Sequence, residues 1–398
     1  MTEPRSLPAP SEQPAASAAA IVAGRIFLLD NPRYADHVPP FLAASRSGLA
    51  LSGKGSNARA CALWGRSGGV LLADPGAYLD RVATEDAPFA LPDSDGALFG
   101  GDLDTVLEGQ RNSHAAVAMT PSLYIQAGDS PAFKALVRHA QAIERDDVIV
   151  VIAVALPWLT QTQYLGQLIA GLQRIRHPKA IMFGAQKNPF DAAGAIENFR
   201  QLLAETTGVG LWRADVPAAF DCLAYGGAFA AIGAGGSLRH LVPADEKPDA
   251  NHPAAHTPSV LLPSMLRYSV GRFIADKYAN TAAPRCQCVV CRGASLDRFD
   301  SLNGDVRSLA HAHNAAVWTS WLPDLFGHAA ATDGQIRWRN RCRAAVDEQE
   351  NENIRLRQKG AFKPSPALKK LATLPVTGEA TTYGPAGKPL PRTASRPR

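Results

Sequence analysis

The chain has 398 residues, of which 46% are hydrophobic and 19% are charged, so it can bury a sizeable core as one large or two medium domains. No uninterrupted apolar run is long enough to span a bilayer, which argues against a membrane protein. The alanine-rich residues 15–23 lack the basic start and long apolar stretch of a signal peptide, so the sequence predicts a reduced, cytoplasmic protein without a membrane partner.

The formal net charge of +5 is unevenly distributed along the chain. Residues 355–398 contain ten lysines and arginines and one acidic residue, Glu379, so this segment carries +9 and the rest carries −4. Many prolines and few apolar residues predict a disordered basic tail, which could bind phosphates or could be a solvated extension. Residues 1–19 are rich in Pro, Ala and Ser and are also predicted to be disordered.

Between these ends, short apolar runs alternate with amphipathic segments, and most of the runs are continuous, as in strands covered on both faces. The predicted strands are 25–29 or 48–52, then 69–73, 115–120, 148–155, 180–184, 209–213, 228–232 and 259–262. The predicted helices are 131–143, 160–175, 191–206 with Asp191 as N-cap, and 270–280. This alternation predicts a (β/α)₈ TIM barrel over residues 20–280, with an open doubly wound sheet as the alternative.

A cluster of cysteines follows the predicted barrel. Cys286 and Cys288 point the same way if this segment is extended, and a short turn can bring Cys291 to the same ion. A helix over 302–318 would present His313 as the fourth ligand. Three thiolates and an imidazole predict structural Zn²⁺ in a C-terminal zinc-binding subdomain over 281–350. Thiols without a metal and a catalytic Zn²⁺ are the alternatives.

Reactive side chains of a barrel follow the carboxyl ends of its strands. The residues in such positions include Asp74, Gln186, Arg213, Asp215, Gly235 and Gly236. Two carboxylates could act chemically there, and a glycine-rich loop lets a flat ligand approach the backbone. The same residues could instead cap helices, form an ion pair, pack tightly or lie in a solvated loop.

The cysteine pattern followed by His313 and Asn314 resembles the zinc signature of the tRNA-guanine transglycosylases. In that family an asparagine typically follows the ligand histidine, which favours His313 over His311. Residues 74–78, Asp-Pro-Gly-Ala-Tyr, are similar to the family's D-S-G-G-[FY] segment, which carries an active-site aspartate. Residues 233–237 lie where the family has a glycine-rich loop that contacts the base. The resemblance covers roughly residues 45–320 and implies a (β/α)₈ barrel with a zinc-binding segment near its C-terminal end.

The resemblance also implies a reaction. Guanine in a polynucleotide, DNA or tRNA, is exchanged for a 7-deazaguanine base through a covalent aspartyl-glycosyl intermediate, as in the two-step logic of retaining glycosidases. Asp74 and Asp215 are the predicted catalytic residues. The predicted substrate-binding residues are Tyr78, Gln186, Arg213, Gly235 and Gly236.

The chain departs from the family pattern in two places. The segment 259–267, where the family nucleophile usually lies, contains no aspartate, and Met119-Thr120-Pro121 replaces a base-reading aspartate of the tRNA enzymes. Either Asp215 has taken over as nucleophile, or the chain is a non-catalytic nucleic-acid-binding or accessory subunit. The departures favour a branch that acts on DNA rather than tRNA. The protein could act as a homodimer or with a partner subunit.

Overall fold

A computed structural model describes residues 16–63, 69–92, 102–247, 257–327 and 330–377. Eight parallel strands form one sheet in the order β3-β2-β1-β8-β7-β6-β5-β4. The strands are β1 (Arg25–Asp30), β2 (Ser47–Ser52), β3 (Val70–Asp74), β4 (Ala118–Met119), β5 (Val148–Ala155), β6 (Lys179–Gly184), β7 (Val209–Ala214) and β8 (Phe229–Gly233). The Ala116 N–H donates to the Leu71 carbonyl at 2.8 Å and so brings the β4 segment beside β3. The predicted (β/α)₈ barrel is confirmed.

Helices separate most of the barrel strands and cover the sheet. They are α1 (Ala18–Val22), α2 (Ser56–Leu63), α3 (Leu103–Asn112), α4 (Ser130–Gln141), α5 (Pro157–Thr160), α6 (Thr162–Gln173), α7 (Ala195–Glu205) and α8 (Val216–Ala224). The predicted helix 160–175 is divided into α5 and α6. The predicted N-cap Asp191 lies in a 3-10 turn, and α7 begins later, with Gly194 as its N-cap.

Five further helices follow the barrel in the described residues up to 377. They are α9 (Gly271–Lys277), α10 (Gly304–Thr319), α11 (Leu322–Phe326), α12 (Ala331–Arg355) and α13 (Pro366–Thr373). Between β1 and β2 the chain forms two 3-10 turns, Ala35–His37 and Pro39–Phe41, in the place of a covering helix. Helix α10 packs against both turns. The helix that carries the predicted ligand His313 therefore lies directly against the barrel. Within the described part of the chain, no helix has the length and apolar character needed to cross a bilayer.

The prediction of a barrel strand at 259–262 was wrong. This segment forms β9 (Ser259–Leu262), which pairs antiparallel with β10 (Arg267–Val270) in a separate hairpin. Both N-terminal candidates, at 25–30 and 47–52, are barrel strands and complete the set of eight. The apolar side chains of β9 are buried against α10 instead, and an apolar run does not reveal which surface covers it.

The prediction of a disordered tail from residue 355 was wrong for its first part. Helix α13 lies within that segment, and Ser365 caps it by accepting a hydrogen bond from the Leu368 N–H at 3.1 Å. Leu368 and Leu371 are buried, and α13 packs on α8 and α12. Of the residues 1–19 predicted to be disordered, 1–15 lie outside the described residues, as do the tail residues 378–398. The prediction was wrong at its end, because Ala18 is buried and begins α1.

A buried lysine at the amino end of β6 makes stability depend on pH. Lys179 is 2% exposed, and its Nζ donates to the Ile175 carbonyl at 2.9 Å. Burial lowers the pKa of Lys179 to about 8. Below about pH 8 the buried ammonium group therefore lowers the free energy of unfolding. This loss disappears as the pH approaches the usual pKa of a lysine. We expect the Tm of wild type to rise by roughly 3 °C relative to that of Lys179→Met between pH 7 and pH 10.

Thermal unfolding of both proteins across this pH range measures the trend. The exposed Lys134 on α4 provides the control, because Lys134→Met should show a constant difference from wild type. A constant difference for Lys179→Met as well would show that the lysine is not buried.

Candidate metal centre and active site

The segment from Cys286 to Gly293 folds into a tight double turn that explains how three closely spaced cysteines converge. The N–H groups of Cys291 and Arg292 both donate to the Cys288 carbonyl, at 3.1 and 2.9 Å, and the Gly293 N–H donates to the Cys286 carbonyl at 2.8 Å. Arg292 and Gly293 have φ angles of +49° and +86°. This left-handed pair turns the chain back, so that the three thiols face one point.

The four predicted ligands come together. The Sγ atoms of Cys286, Cys288 and Cys291 and a ring nitrogen of His313 all lie within 4.8 Å of one another. His313 Nδ1 is 3.2 Å from the Cys291 Sγ, and His313 Nε2 lies 3.0 Å from the Leu261 carbonyl. A carbonyl can only accept, so Nε2 carries the proton and Nδ1 is left with a free lone pair toward the thiols. This group can hold a metal ion.

Hydrogen bonds to sulfur favour a thiolate at Cys288. The Cys288 N–H donates to the Cys286 Sγ and the Cys291 N–H to the Cys288 Sγ, both at 3.4 Å. Arg298 donates from Nη2 to the Cys291 Sγ at 3.2 Å and places a positive charge beside the thiols. Hydrogen bonds from the Cys286 and Cys291 thiols hold the pKa of Cys288 far below its usual value, and hydrogen bonding with Cys286 and Cys288 raises the pKa of Cys291. Thiolates are the form that binds metal.

His311 points to a different neighbour, which supports the choice of His313 as ligand. Its Nδ1 lies 2.9 Å from Oδ2 of Asp30, the last residue of β1, and both side chains are buried. His311 and His313 are two positions apart on α10, so their side chains are separated by about 200° around the helix axis. Helix α10 therefore contacts the metal cluster through His313, and it contacts the carboxyl end of the barrel through His311.

Asp74 is the centre of a buried hydrogen-bond network at the end of β3. Its Oδ2 accepts from the Tyr78 hydroxyl at 2.5 Å, from Trp212 Nε1 at 3.0 Å and from the Ser52 hydroxyl at 3.0 Å. Its Oδ1 accepts from the Gly76 N–H at 2.9 Å. The carboxyl group is fully buried, as is Tyr78. The arrangement holds three strands together at the barrel mouth and leaves Asp74 without solvent access.

Arg213 extends this network to the glycine-rich loop. Its Nε donates to the Tyr78 hydroxyl at 3.1 Å, and its Nη1 donates to the Ser237 carbonyl at 2.8 Å. Arg213 has a left-handed φ of +53° where the register between β7 and β8 shifts. Such strain is retained where the surrounding contacts fix it. The structure thus brings the predicted residues Asp74, Tyr78 and Arg213 together, and all three are buried.

The glycines after β8 differ in what they allow. A side chain at Gly233 would clash with the backbone of Leu238 at 2.3 Å, so this glycine is needed for packing. A Cβ at Gly235 would meet nothing within 4 Å, and at Gly236 only the end of the Arg239 side chain at 3.7 Å. The backbone of the two predicted substrate-binding glycines therefore borders open space.

Asp215 is half-buried at the end of β7 and is the N-cap of α8, where it accepts from the Val216 N–H at 2.8 Å. Burial raises the pKa of Asp215, and the positive charges of Arg239 and Arg267 oppose this effect. The Arg239 guanidinium lies 4.0 Å from the ring centroid of Tyr268. Reduced solvation and neighbouring positive charges are typical of carboxylates at functional sites.

Gln186 lies at the end of β6 and does not join the Asp74 network through any contact in the described residues. Its Nε2 donates to Glu246 Oε2 at 2.6 Å and to the Lys247 carbonyl at 3.0 Å. Its Oε1 is buried without a hydrogen-bond partner among the residues that the structure describes. An unsatisfied buried acceptor of this kind suits a donor N–H of a ligand.

The sequence-based reasoning missed Ser52, Trp212, Arg239 and Tyr268. Ser52 was detectable in principle, because it ends a predicted strand. Trp212 lies within a strand, and Arg239 and Tyr268 are recognised only by contacts between distant segments. The functional roles of all these residues remain predictions. A scan of protein-family models finds no match to this chain, and a search of curated proteins finds no match either.

Replacing Asp74 by asparagine should destabilise the fold. The amide cannot accept all four hydrogen bonds and directs N–H donors at other donors, which costs about 2–3 kcal/mol. We expect urea unfolding to show this loss, with Tm reduced by about 4 °C. Asp80→Asn, at an exposed position, should have no effect. Equal stability of Asp74→Asn and wild type would contradict the network.

Proposed function

We propose that this protein is a zinc-stabilised barrel enzyme that exchanges guanine in DNA for a 7-deazaguanine base, with Asp215 as the nucleophile. The observation that carries the proposal is the half-buried Asp215, which caps α8 at the carboxyl end of β7 and whose pKa is raised by burial and lowered by the charges of Arg239 and Arg267. Two further features support it: the barrel, and the metal-ligand cluster that follows it.

Zinc is the metal that fits the cluster best. Three thiolates and one imidazole are typical of structural zinc sites, which have no open coordination position. A tetrahedral site with Zn–S bonds of about 2.3 Å has ligand–ligand distances of roughly 3.8 Å. The 4.8 Å limit among these ligand atoms requires only a small contraction. Four protein ligands leave no place for substrate, so we assign Zn²⁺ to folding alone.

In the proposed reaction, a carboxylate oxygen of Asp215 attacks C1′ of the target nucleotide. The C1′–N9 bond breaks, and its electron pair leaves with guanine, which takes a proton from solvent. The incoming 7-deazaguanine loses its N9 proton to solvent and attacks C1′ through that nitrogen. This breaks the ester bond to Asp215 and restores the carboxylate. The target nucleotide has to leave its stack to reach the barrel mouth.

Other residues have supporting roles in this proposal. The positive charges of Arg239 and Arg267 favour the ionised, nucleophilic form of Asp215 against the effect of burial. The open backbone at Gly235 and Gly236 provides space for a flat base, and the free Gln186 Oε1 can accept a hydrogen bond from its N–H groups. We assign Asp74 to holding the mouth together.

One observation favours a second function, a nucleic-acid-binding accessory subunit without catalysis. Asp74, which resembles the family's active-site aspartate, is fully buried and accepts four hydrogen bonds. A carboxylate in that state cannot reach a sugar carbon. The two functions differ in whether any carboxylate at the mouth reacts.

The proposal can be tested by incubating zinc-loaded protein with radiolabelled guanine and either duplex DNA or tRNA. We expect label to enter DNA and not tRNA, and unlabelled 7-deazaguanine to displace it. Incorporation into tRNA alone would keep the chemistry and overturn the choice of polymer. Absence of incorporation into both, together with measurable binding to DNA, would establish the accessory role. Neither incorporation nor binding would exclude both functions.

A further inference from the structure

Asn314 links the metal-bearing helix to the β9–β10 hairpin. It is fully buried and follows the metal ligand His313 on α10. Its Oδ1 accepts from the Leu261 N–H at 2.7 Å, and its Nδ2 donates to the Ser259 carbonyl at 2.8 Å. The side-chain amide thus pairs with one edge of β9 as a neighbouring strand would. His313 Nε2 bonds the Leu261 carbonyl at 3.0 Å, so two consecutive residues of α10 fix β9.

The hairpin in turn holds Arg239. The Ser259 hydroxyl accepts from Arg239 Nη2 at 3.1 Å, and the guanidinium stacks at 4.0 Å from the ring centroid of Tyr268 on β10. A third contact, from Nη1 to the Ala234 carbonyl at 3.5 Å, lies within its own loop. A long arginine side chain loses substantial rotational freedom in such a position. The position of its charge therefore depends on where β9 and β10 lie.

We infer that Asn314 is a positioning residue: through β9 it holds Arg239 where its charge acts on Asp215, so that helix α10 sets the electrostatics of the barrel mouth. The role of this arrangement in catalysis rests on the proposed function, whereas the arrangement itself does not. Besides Arg239, the groups that act on Asp215 are Arg267, Tyr268 and Asp191. Arg267 and Tyr268 lie on β10, whose backbone pairs with β9, and Arg239 is the group that bonds β9 through its side chain.

The effect can be measured without substrate, through the pH dependence of stability. Burial already raises the pKa of Asp215, and loss of the Arg239 charge would raise it further. A carboxyl group whose pKa is higher in the folded state costs stability as the pH rises above its unfolded value of about 4. Asn314→Ala should therefore lose an additional 2 °C or so in Tm, relative to wild type, between pH 4.5 and pH 7.5.

Two comparisons make this specific to Asp215. The additional loss should vanish in the Asp215→Asn background, because no carboxyl group remains to titrate. Gln335→Ala is the second comparison, because it removes two similar amide hydrogen bonds, to the Ala224 carbonyl at 3.1 Å and from the Thr377 N–H at 2.9 Å. Ala224 ends α8 and lies about 13 Å from Asp215 along that helix. It should lower Tm by the same amount at every pH.

Ser259→Ala is the second variant, because it removes only the hydroxyl that holds Arg239 and should fold even if Asn314→Ala does not. Parallel losses at all pH values in the folded variants would overturn the inference. Absence of base exchange would not affect this result, so the two failures are distinguishable. If exchange does occur, we expect Ser259→Ala to lower kcat at least fivefold with little change in KM.

Discussion

Replacing Cys291 by serine is expected to remove the metal and to lower Tm by about 10 °C or more. Binding of structural Zn²⁺ contributes on the order of 10 kcal/mol to folding in small zinc domains, and a serine hydroxyl does not substitute for a thiolate. The loss also leaves Arg298 without its sulfur acceptor. Metal analysis should show about one zinc per wild-type chain and almost none in the variant, and thermal unfolding should show the drop in Tm.

Cys61→Ser provides the matched control, since Cys61 is an exposed cysteine on α2 and does not belong to the metal cluster. It should retain both zinc and Tm. A Cys291→Ser protein with unchanged metal content and stability would rule out the metal site. Equal losses in both variants would point to a general sensitivity to cysteine replacement.

Replacing Asp215 by asparagine is expected to reduce base exchange by at least 10³-fold, because the amide cannot form the covalent intermediate. The same variant should be more stable than wild type at pH 7. Burial raises the pKa of Asp215, so the ionised carboxyl group costs stability above pH 4 or so. Asparagine is an equally good N-cap for α8. The gain in Tm should disappear as the pH falls well below 4, because the carboxyl group is then protonated in both the folded and the unfolded state.

Asp102→Asn is a suitable control, because Asp102 is the N-cap of α3 and is exposed. A hydrogen bond with Thr105 lowers its pKa, so its replacement should reduce stability near neutral pH and leave activity unchanged. Full activity in Asp215→Asn would remove it as nucleophile. A Tm difference with the opposite pH trend would show that the carboxyl group is not desolvated.

The barrel could be predicted because its strands are covered on both faces. All eight residues of β5 are buried, as are all six of β6, and such runs are apolar from end to end. The same rule failed at β9, whose buried residues face α10 instead of the barrel. Local composition also led to a wrong prediction at α13. A proline-containing, lysine-containing segment was interpreted as disordered, although Ser365 followed by Pro366 is a typical helix start.

The candidate site was predictable to a different degree in its two halves. The three cysteines lie within six residues and their side-chain chemistry is specific, so spacing was enough to group them. The choice of His313 over His311 came from the family resemblance. Asp74 and Asp215 were found from strand ends, but their surroundings were not. Trp212 bonds Asp74 across 138 positions of sequence, and Arg239 reaches Ser259 on the hairpin. Contacts of this kind depend on the folded arrangement and leave no local pattern.

The docking of α13 determines where the chain can be shortened. Arg200 and Tyr225 both donate to the Pro375 carbonyl, at 3.3 and 3.4 Å, and so fasten the end of this segment beside α8. A protein ending at residue 357 would expose the leucine-lined surface beneath α13 to water and invite aggregation. Termination after Thr377 keeps that surface covered and still removes Lys388 and the last three arginines. Only the longer version can test whether the basic extension contributes to DNA binding without damage to the folded body.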